Sequence, residues 1–238
     1  MKNLLIGTIS LLVVMVGITS MSAFEAYVVN VTAKIENALY VHPESRDFGT
    51  MFPQEYAEMG IFITFSKSFS ATAQKRVSKV DYKIVQKPKP RPEYVAQVGL
   101  LEARKWCHDN YPQVPFDKEA SEWQEYLSKC YLLLCPYLSK TPDNFPQPGN
   151  DKGVPAFHDP FSQEGIAYGT IDKNGTDAGD TWLIDLAVPC FEGQCSQDWA
   201  SFVKAHNPSA DPDEFTAPEG MSGEVFGCDL WIEVTKVY

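Results

Sequence analysis

The stretch "AYVVNVTAKIENALYV", residues 26–41, alternates between apolar and polar side chains almost without interruption. A period of two residues is typical of a β-strand with one buried side. Asn37 is the position that interrupts the apolar face, and polar residues from Asn30 to Glu36 form the other face. The apolar face carries Tyr27, Val29, Val31, Ala33, Ile35, Leu39 and Val41. The pattern therefore predicts a long strand near the start of the chain.

The segment before this strand has the order of an export signal. Lys2 precedes an apolar run from Leu4 to Ile18, and small residues follow in "TSMSA", residues 19–23. We predict a secretory signal over residues 1–22, with cleavage one residue later as the near alternative. An uncleaved anchor is the other alternative, although a run of about 15 apolar residues is shorter than the ~20 that a spanning helix needs. The chain is therefore expected to be secreted, and to act outside the cell or at its surface.

Cleavage leaves 216 of the 238 residues, which suffice for one domain over residues 23–238. The complete chain has a net charge of -11, and losing Lys2 brings the mature chain near -12. Such an acidic protein is not expected to bind nucleic acid or an anionic membrane surface. Acidity is instead interpreted as a source of solubility outside the cell.

Six cysteines remain after cleavage, and an even number in an exported chain favours three disulfides over a metal cluster. They fall into a group of three before residue 140 and a group of three after residue 189: Cys107, Cys130, Cys135, Cys190, Cys195 and Cys228. If all six pair, at least one bridge joins the two groups. Cys130 and Cys135 lie in a helix-like stretch, where a step of five residues turns side chains about 140° apart, so they are not expected to pair. Cys190 and Cys195 could close the loop "CFEGQC".

Further alternating runs predict five more strands, at "GIFITFS", "VDYKIVQ", "IAYGTI", "DTWLIDLAVP" and "CDLWIEVTKVY". Short alternating strands separated by turn residues predict an all-β antiparallel sandwich. Residues 86–160 interrupt this pattern, because they contain 11 of the 17 prolines and two stretches with helical spacing. We interpret them as a cysteine-containing, partly helical excursion between two strands, with stiff proline-rich connectors at both ends. A short helix is also expected at "SQDWASFVKAHN", with Ser196 as its cap.

The motifs of common enzymes are missing from the sequence, so we predict no catalytic residues, no metal site and no cofactor. The four histidines are interpreted as surface or capping residues: His42, His108, His158 and His206. "DKNGTDAGD", residues 172–180, is rich in oxygen ligands that suit calcium, but a hairpin turn between two strands explains the same residues. Sequons at Asn30 and Asn174 permit glycosylation only where the machinery exists.

The opening strand is longer than one domain requires. Sixteen extended residues span about 53 Å at ~3.3 Å each, whereas a compact domain of this size is roughly 44 Å across. The strand either bends near Asn37 and serves both sheets of its own sandwich, or residues 24–36 leave the domain and complete the sheet of a neighbour. In the second case main-chain hydrogen bonds supply affinity, and alternate side chains fill an acceptor groove.

An export signal, an alternating strand and then "ALYVHPESRDFGTMFPQEYAEMGIFITFS", residues 38–66, with a turn at "FPQE", resemble the TasA/camelysin family and its archaeal bundling-pilus relatives. The likeness covers residues 1–85 and, more loosely, 165–238, whereas the excursion departs from simpler members. The resemblance implies a jelly-roll subunit that polymerises into biofilm matrix fibres or pili by donating its first strand. The donor side chains would be Tyr27, Val29, Val31, Ala33 and Ile35. Camelysin relatives have also been classed as metalloproteases, but no zinc motif is present here.

A secreted structural subunit whose partner is a second copy of itself is therefore the first hypothesis, with a matrix polysaccharide as a further candidate partner. The alternative is a monomeric adhesin or carbohydrate-binding sandwich. In that case one or more aromatic side chains would face a sugar, the candidates being Trp106, Trp123, Trp199 and Tyr168. Burial in the core is the competing explanation for each of these rings.

Overall fold

The computed structural model describes residues 37–70, 77–143, 151–174 and 178–238. The predicted signal sequence, the candidate donor strand and the sequon at Asn30 lie outside these ranges, as does Asp177. The described residues from Asn37 onward belong to one compact unit.

Within these ranges eight strands form two four-stranded sheets. The strands are β1 (Leu39–His42), β2 (Tyr56–Phe65), β3 (Lys79–Pro88), β4 (Leu132–Leu133), β5 (Thr141–Pro142), β6 (Ala167–Asp172), β7 (Gly179–Ala187) and β8 (Phe226–Val237). The first sheet has the order β1-β2-β7-β5, and the second has the order β4-β8-β3-β6. Their pairs are antiparallel except for β4 with β8, which is parallel. All five later alternating runs are strands, as predicted.

The two sheets face each other across one core, because alternate side chains from the strands of both sheets are buried in the same cluster. Trp182 and Tyr82 meet across it, with the indole Nε1 donating to the tyrosine oxygen over 2.7 Å. The buried apolar side chains of the facing strands are Ile61, Ile63 and Phe65 of β2, Trp182, Ile184 and Leu186 of β7, and Val80, Tyr82 and Ile84 of β3. Two facing sheets therefore form the main body of the protein.

Helices lie beside the sheets, so the chain is mostly β rather than all-β. They are α1 (Lys67–Ser70), α2 (Pro92–Val98), α3 (Leu100–Asp109), α4 (Ser121–Lys129) and α5 (Trp199–His206). The excursion contains α2, α3 and α4 where the sequence predicted two helical stretches, because Gly99, with a φ of 85°, divides the first stretch into α2 and α3. The expected helix after residue 196 is α5, but Asp198 occupies its N-cap position, and Ser196 donates to Gln54 over 2.7 Å instead of capping the helix.

Both proline-rich ends of the excursion contain strand residues, which the sequence did not predict; residues 144–150 of the second end lie outside the described ranges. β3 continues to Pro88, and residues 141–142 form β5, an edge strand of the first sheet. Proline has no main-chain N–H to donate to a neighbouring strand. It fits both places because a residue at a strand end or sheet edge does not need to donate one. β4 also belongs to the excursion and joins the second sheet, so this segment contributes strands to both sheets.

All six cysteines form disulfides, as the parity argument predicted. Cys107 pairs with Cys130 inside the excursion, and Cys190 pairs with Cys195 in the short loop. Cys135 pairs with Cys228 and is the bridge that joins the two groups. The helical interpretation of residues 130–135 was wrong, because α4 ends at Lys129 and the next residue is extended. Its conclusion that these two cysteines do not pair agrees with the structure.

The expected hairpin at residues 172–180 is also wrong. β6 pairs with β3 in the second sheet, whereas β7 pairs with β2 in the first, so the connection crosses from one sheet to the other. A hairpin turn and a connection between two sheets use the same residue types, since asparagine, glycine and aspartate are favoured in any tight turn. The sequence therefore could not distinguish them. Here the carboxylate of Asp172 accepts a hydrogen bond from the Asn174 N–H over 2.8 Å.

Candidate functional site

One lateral side of the pair of sheets is closed by residues 151–154. Lys140, just before β5, exchanges two main-chain hydrogen bonds with Val154, of 2.8 and 2.9 Å. Lys152 exchanges two more with Tyr168 of β6, of 2.9 and 3.0 Å. The edge of the first sheet is therefore connected through this segment to the edge of the second sheet.

The opposite lateral side lies between β1 and β8. β4 covers only the start of β8. There the Leu132 N–H donates to the Val225 carbonyl over 3.3 Å, and the Leu134 N–H donates to the Gly227 carbonyl over 3.1 Å. Because every second residue of a strand directs its main-chain groups to the same side, residues 229, 231 and 233 direct theirs outward too. Beyond Gly227 this edge of β8 pairs with no strand among the described residues.

The side chains of β8 that face the core are incompletely covered along this edge. Leu230 and Ile232 pack against the core but are only partly buried. Val234 lies opposite Tyr82 and is 43% exposed, and Val237 lies opposite Val80 and is 47% exposed, although both partners are fully buried. Exposed apolar side chains beside unpaired main-chain groups are the features of a sheet edge that accepts another strand.

The β1 side of the same opening is short. β1 covers only the last four residues of β2, and the Arg46 side chain then donates to the Gly60 carbonyl over 2.9 Å. Leu39 and Val41 of β1 pack against the core and are partly buried. Both strands that border this side therefore carry apolar side chains that an additional strand would cover. We call the side between β1 and β8 the open side.

The proposed donor side chains Tyr27, Val29, Val31, Ala33 and Ile35 belong to the undescribed part of the chain, so the structure shows no contact for them. The sequence did not indicate the edge that could receive a strand, because pairing depends on which distant strands become neighbours. The alternation in β8 marked it as a strand but gave no sign of its unpaired edge.

Two of the four aromatic side chains proposed for sugar binding are buried. Trp123 and Trp199 are only 2% and 6% exposed, and their indole N–H groups donate to the carbonyls of Pro115 and Pro212. Trp106 stacks on Tyr126 and is covered by the Lys129 ammonium, 3.9 Å from its ring centre. Core packing therefore explains Trp123 and Trp199.

A buried polar cluster was missed by the sequence analysis. His158, interpreted as a surface or capping residue, is buried, and its Nε2 lies 2.6 Å from the Gln86 amide nitrogen and 3.5 Å from the Lys140 Nζ. Burial lowers the pKa of Lys140 to about 7. Burial, with a smaller effect from the Lys140 charge, lowers the pKa of His158 to about 3. A lone lysine between Ser139 and Thr141 gave no sequence signal of this environment.

The aspartates that suggested calcium do not form a metal site in the part of the chain described. Asp172 caps its own turn, and Asp180 is buried and accepts a hydrogen bond from the Tyr82 hydroxyl in the core. No group of three or more His, Cys, Asp or Glu side chains in the described ranges is arranged to hold a metal ion. Those ranges also contain no helix with the length and apolar character needed to cross a membrane.

These observations define a disulfide-bonded, mostly β protein with two facing sheets and one open side. Three disulfides are typical of proteins from an oxidising, extracellular environment. The sequence matches no protein-family model and no curated protein.

Proposed function

We propose that this protein is a secreted structural subunit of extracellular or biofilm matrix fibres or pili, and that it polymerises by donating residues 24–36 to the open side of a neighbouring copy. The resemblance to the TasA/camelysin family supports a fibre subunit, and the two facing sheets fit the jelly-roll arrangement which that resemblance implies. The open side is the observation that carries the proposal.

The acceptor and the donor match in length and pattern. β8 continues for ten residues beyond Gly227, and the donor segment has thirteen residues. A strand added to β8 would pair with its outward main-chain groups, while every second donor side chain entered the space beside Val234 and Val237. The donor has five such apolar side chains on one face. Asn30, Thr32 and Lys34 alternate with them and lie on the other face.

A charged side chain on the open side is expected to prevent fibre formation without unfolding the subunit. Val234→Asp would place an unpaired charge against the incoming strand, at a cost of several kcal/mol. In the isolated subunit the same residue is 43% exposed, so its fold should tolerate the change. Fibre length and yield in negative-stain electron micrographs measure the effect.

Val114→Asp is the matched control, because Val114 is also an exposed valine, 50% accessible, but belongs to the loop between α3 and α4 and not to a strand. This variant should form fibres like the original protein. Equal fibre yields from the two variants would contradict an acceptor at β8.

Lateral association of the fibres should depend on charge. Subunits with a net charge near -12 repel each other over about a Debye length, ~10 Å at 0.1 M salt. Lower pH or divalent cations should therefore thicken the fibres, which turbidity and micrographs would detect. Bundle thickness that is independent of pH, salt and calcium would argue against this explanation.

The alternative function, a monomeric adhesin or carbohydrate-binding protein, keeps Trp106 and Tyr168 as candidates and gains a further aromatic residue. Trp231 of β8 lines a cleft on the outer face of the second sheet. Persistent monomers of the intact protein that bind glycans would favour this alternative over the fibre.

A further inference from the structure

Four cations form a row along the outer face of β3 and the residues that follow it. The prolines between the last three cations are buried whereas the cations are not, so the alternation of β3 continues past the end of the strand. Side chains two residues apart in an extended chain are about 6.6 Å apart. We call these four residues the basic row: Lys83, Lys87, Lys89 and Arg91.

The carboxylates near the basic row neutralise only part of its charge. Lys83 and Lys87 share Glu233, over 3.1 and 2.9 Å. The ion pairs found within the described ranges include neither Lys89 nor Arg91. On a chain with a net charge of -11, the row is therefore a local excess of positive charge. Such an excess on one face attracts a partner of the opposite sign.

Tyr131 holds the last two cations of the row in place. The Lys89 Nζ lies 5.7 Å from the centre of its ring, and the Arg91 guanidinium lies 4.7 Å from it. A Cβ at Gly227 would lie 3.0 Å from both the Lys89 and the Tyr131 side chains, so glycine permits their close approach. The Arg91 Nε also donates to the Leu127 carbonyl over 2.5 Å. Cations that are already positioned lose less conformational freedom when an anion binds.

The basic row offers charge rather than an apolar surface or a strand edge. Tyr131 is already in contact with two cations, so it presents positive charge where a neutral sugar would need a bare ring. Residues 88–92 contain three prolines, which have no main-chain N–H, and the Arg91 N–H already donates to Lys129. A peptide therefore finds few of the main-chain donors that supply affinity when a peptide adds to a sheet.

The charge of the whole chain decides between anionic polymers. Duplex DNA carries one charge for each ~1.7 Å of its length. A duplex would therefore meet repulsion from a protein with a net charge of -11 wherever it extends beyond the row. A polysaccharide with one carboxylate on each sugar has a lower charge density, and its repulsion is screened within about a Debye length, ~10 Å at 0.1 M salt. The row therefore favours an acidic polysaccharide over nucleic acid.

We propose that the basic row binds the carboxylates of an acidic matrix polysaccharide, with Lys89 and Arg91 as the principal contacts. This inference rests on the proposed function, because it assigns the polysaccharide partner of the matrix fibre. β3 is an interior strand of its sheet, whereas the donor would pair with the edge of β8, so the two sites are separate.

Titration of the intact protein with polygalacturonate, a polymer of a uronic acid, tests the proposal by calorimetry. Saturable binding is expected at about 0.05 M salt and should weaken several-fold at about 0.5 M, because salt screens exposed charges. Neutral dextran should not bind. Absence of saturable binding, or binding that salt does not weaken, would overturn the proposal. Equal or tighter binding of polyglutamate or duplex DNA would overturn it in favour of an acidic peptide or nucleic acid.

Variants of the last two cations locate the site. Replacing Lys89 and Arg91 together with Gln should weaken polygalacturonate binding about tenfold, because two charge-assisted contacts are lost. Lys89→Gln alone, at an exposed position that should not affect folding, should weaken it several-fold. The matched control replaces the exposed Lys67 and Lys118 with Gln, which changes the net charge equally outside the row and should leave affinity unchanged. Equal affinities of the double variant and this control would refute the assignment.

Fibre formation is scored in the same preparations, so that the two proposals are separated. Fibres that do not bind polygalacturonate would overturn this inference and leave the proposed function standing. Binding by a protein that forms no fibres would support the basic row as a polysaccharide site and contradict the fibre alone.

Discussion

A variant that lacks residues 24–36 is expected to remain a folded monomer and to form no fibres. Its own core is complete apart from the open side, where Val234 and Val237 are already half exposed. Removing the donor takes away the segment that would pair with β8 of the next subunit, so polymerisation should stop entirely. Light scattering and negative-stain electron microscopy measure this loss.

A synthetic peptide of residues 24–36 should then bind the shortened protein. Replacing both Val29 and Val31 with Asp should abolish binding, because two unpaired charges in the groove would cost several kcal/mol. The matched control replaces Asn30 and Thr32 with Asp, which adds the same charges to the polar face of the strand. This control peptide should still bind.

The opposite result is equally clear. If residues 24–36 belong to the subunit's own sheet, the shortened protein should aggregate while the intact protein remains monomeric. A destabilised domain that the peptide restores would still support donation, since an open acceptor exposes unpaired edges. Absence of peptide rescue, together with a monomeric intact protein, would rule out the fibre.

Replacing the buried Lys140 with methionine should remove a steep pH dependence of the free energy of unfolding. The unfolded chain holds a proton on this lysine up to its ordinary pKa near 10.4, whereas burial lowers the pKa to about 7 in the folded protein. Between these pH values the unfolded state binds more protons, so the free energy of unfolding rises with pH. The slope from one such group is up to about 1.4 kcal/mol for each pH unit, or ~4 kcal/mol between pH 7 and 10. Below pH 7 Lys140 is protonated in both states and adds no further slope.

Urea denaturation between pH 7 and 10 measures this effect. Lys140→Met should flatten the curve and increase the free energy of unfolding at pH 7 by about 2 kcal/mol, because a buried charge is replaced by an apolar chain of similar length. Lys152→Met is the matched control, since Lys152 is exposed in the segment that pairs with β6. Identical slopes in the two variants would show that Lys140 is not the titrating group.

The same cluster affects stability at acidic pH. The pKa of His158 is about 3 in the folded protein, so the unfolded chain takes up a proton first as the pH falls below about 6.5. Stability is therefore lost between pH 6.5 and 3. Because the Lys140 charge is one of the causes of this shift, the Lys140→Met variant should lose less stability in this range.

The sequence by itself determined the longer strands and how many disulfides form, but not the two-residue strands β4 and β5. "GIFITFS" and "VDYKIVQ" became β2 and β3 because period-two alternation is a local property that depends only on adjacent residues. Parity and spacing of the cysteines predicted a bridge between the two groups, and the structure provides it as Cys135–Cys228. Helical spacing likewise identified α3 and α4 inside the excursion.

Only the tertiary structure decided which strands are neighbours. β6 and β7 follow each other closely in the chain but belong to different sheets, because pairing depends on the complete set of competing edges. Among the described residues, the same choice leaves one edge of β8 without a partner strand beyond Gly227, buries Lys140 beside His158 and places Arg104 against Trp231. Each of these features joins residues that are distant in the sequence or places a polar side chain in the interior, and no local pattern records such contacts.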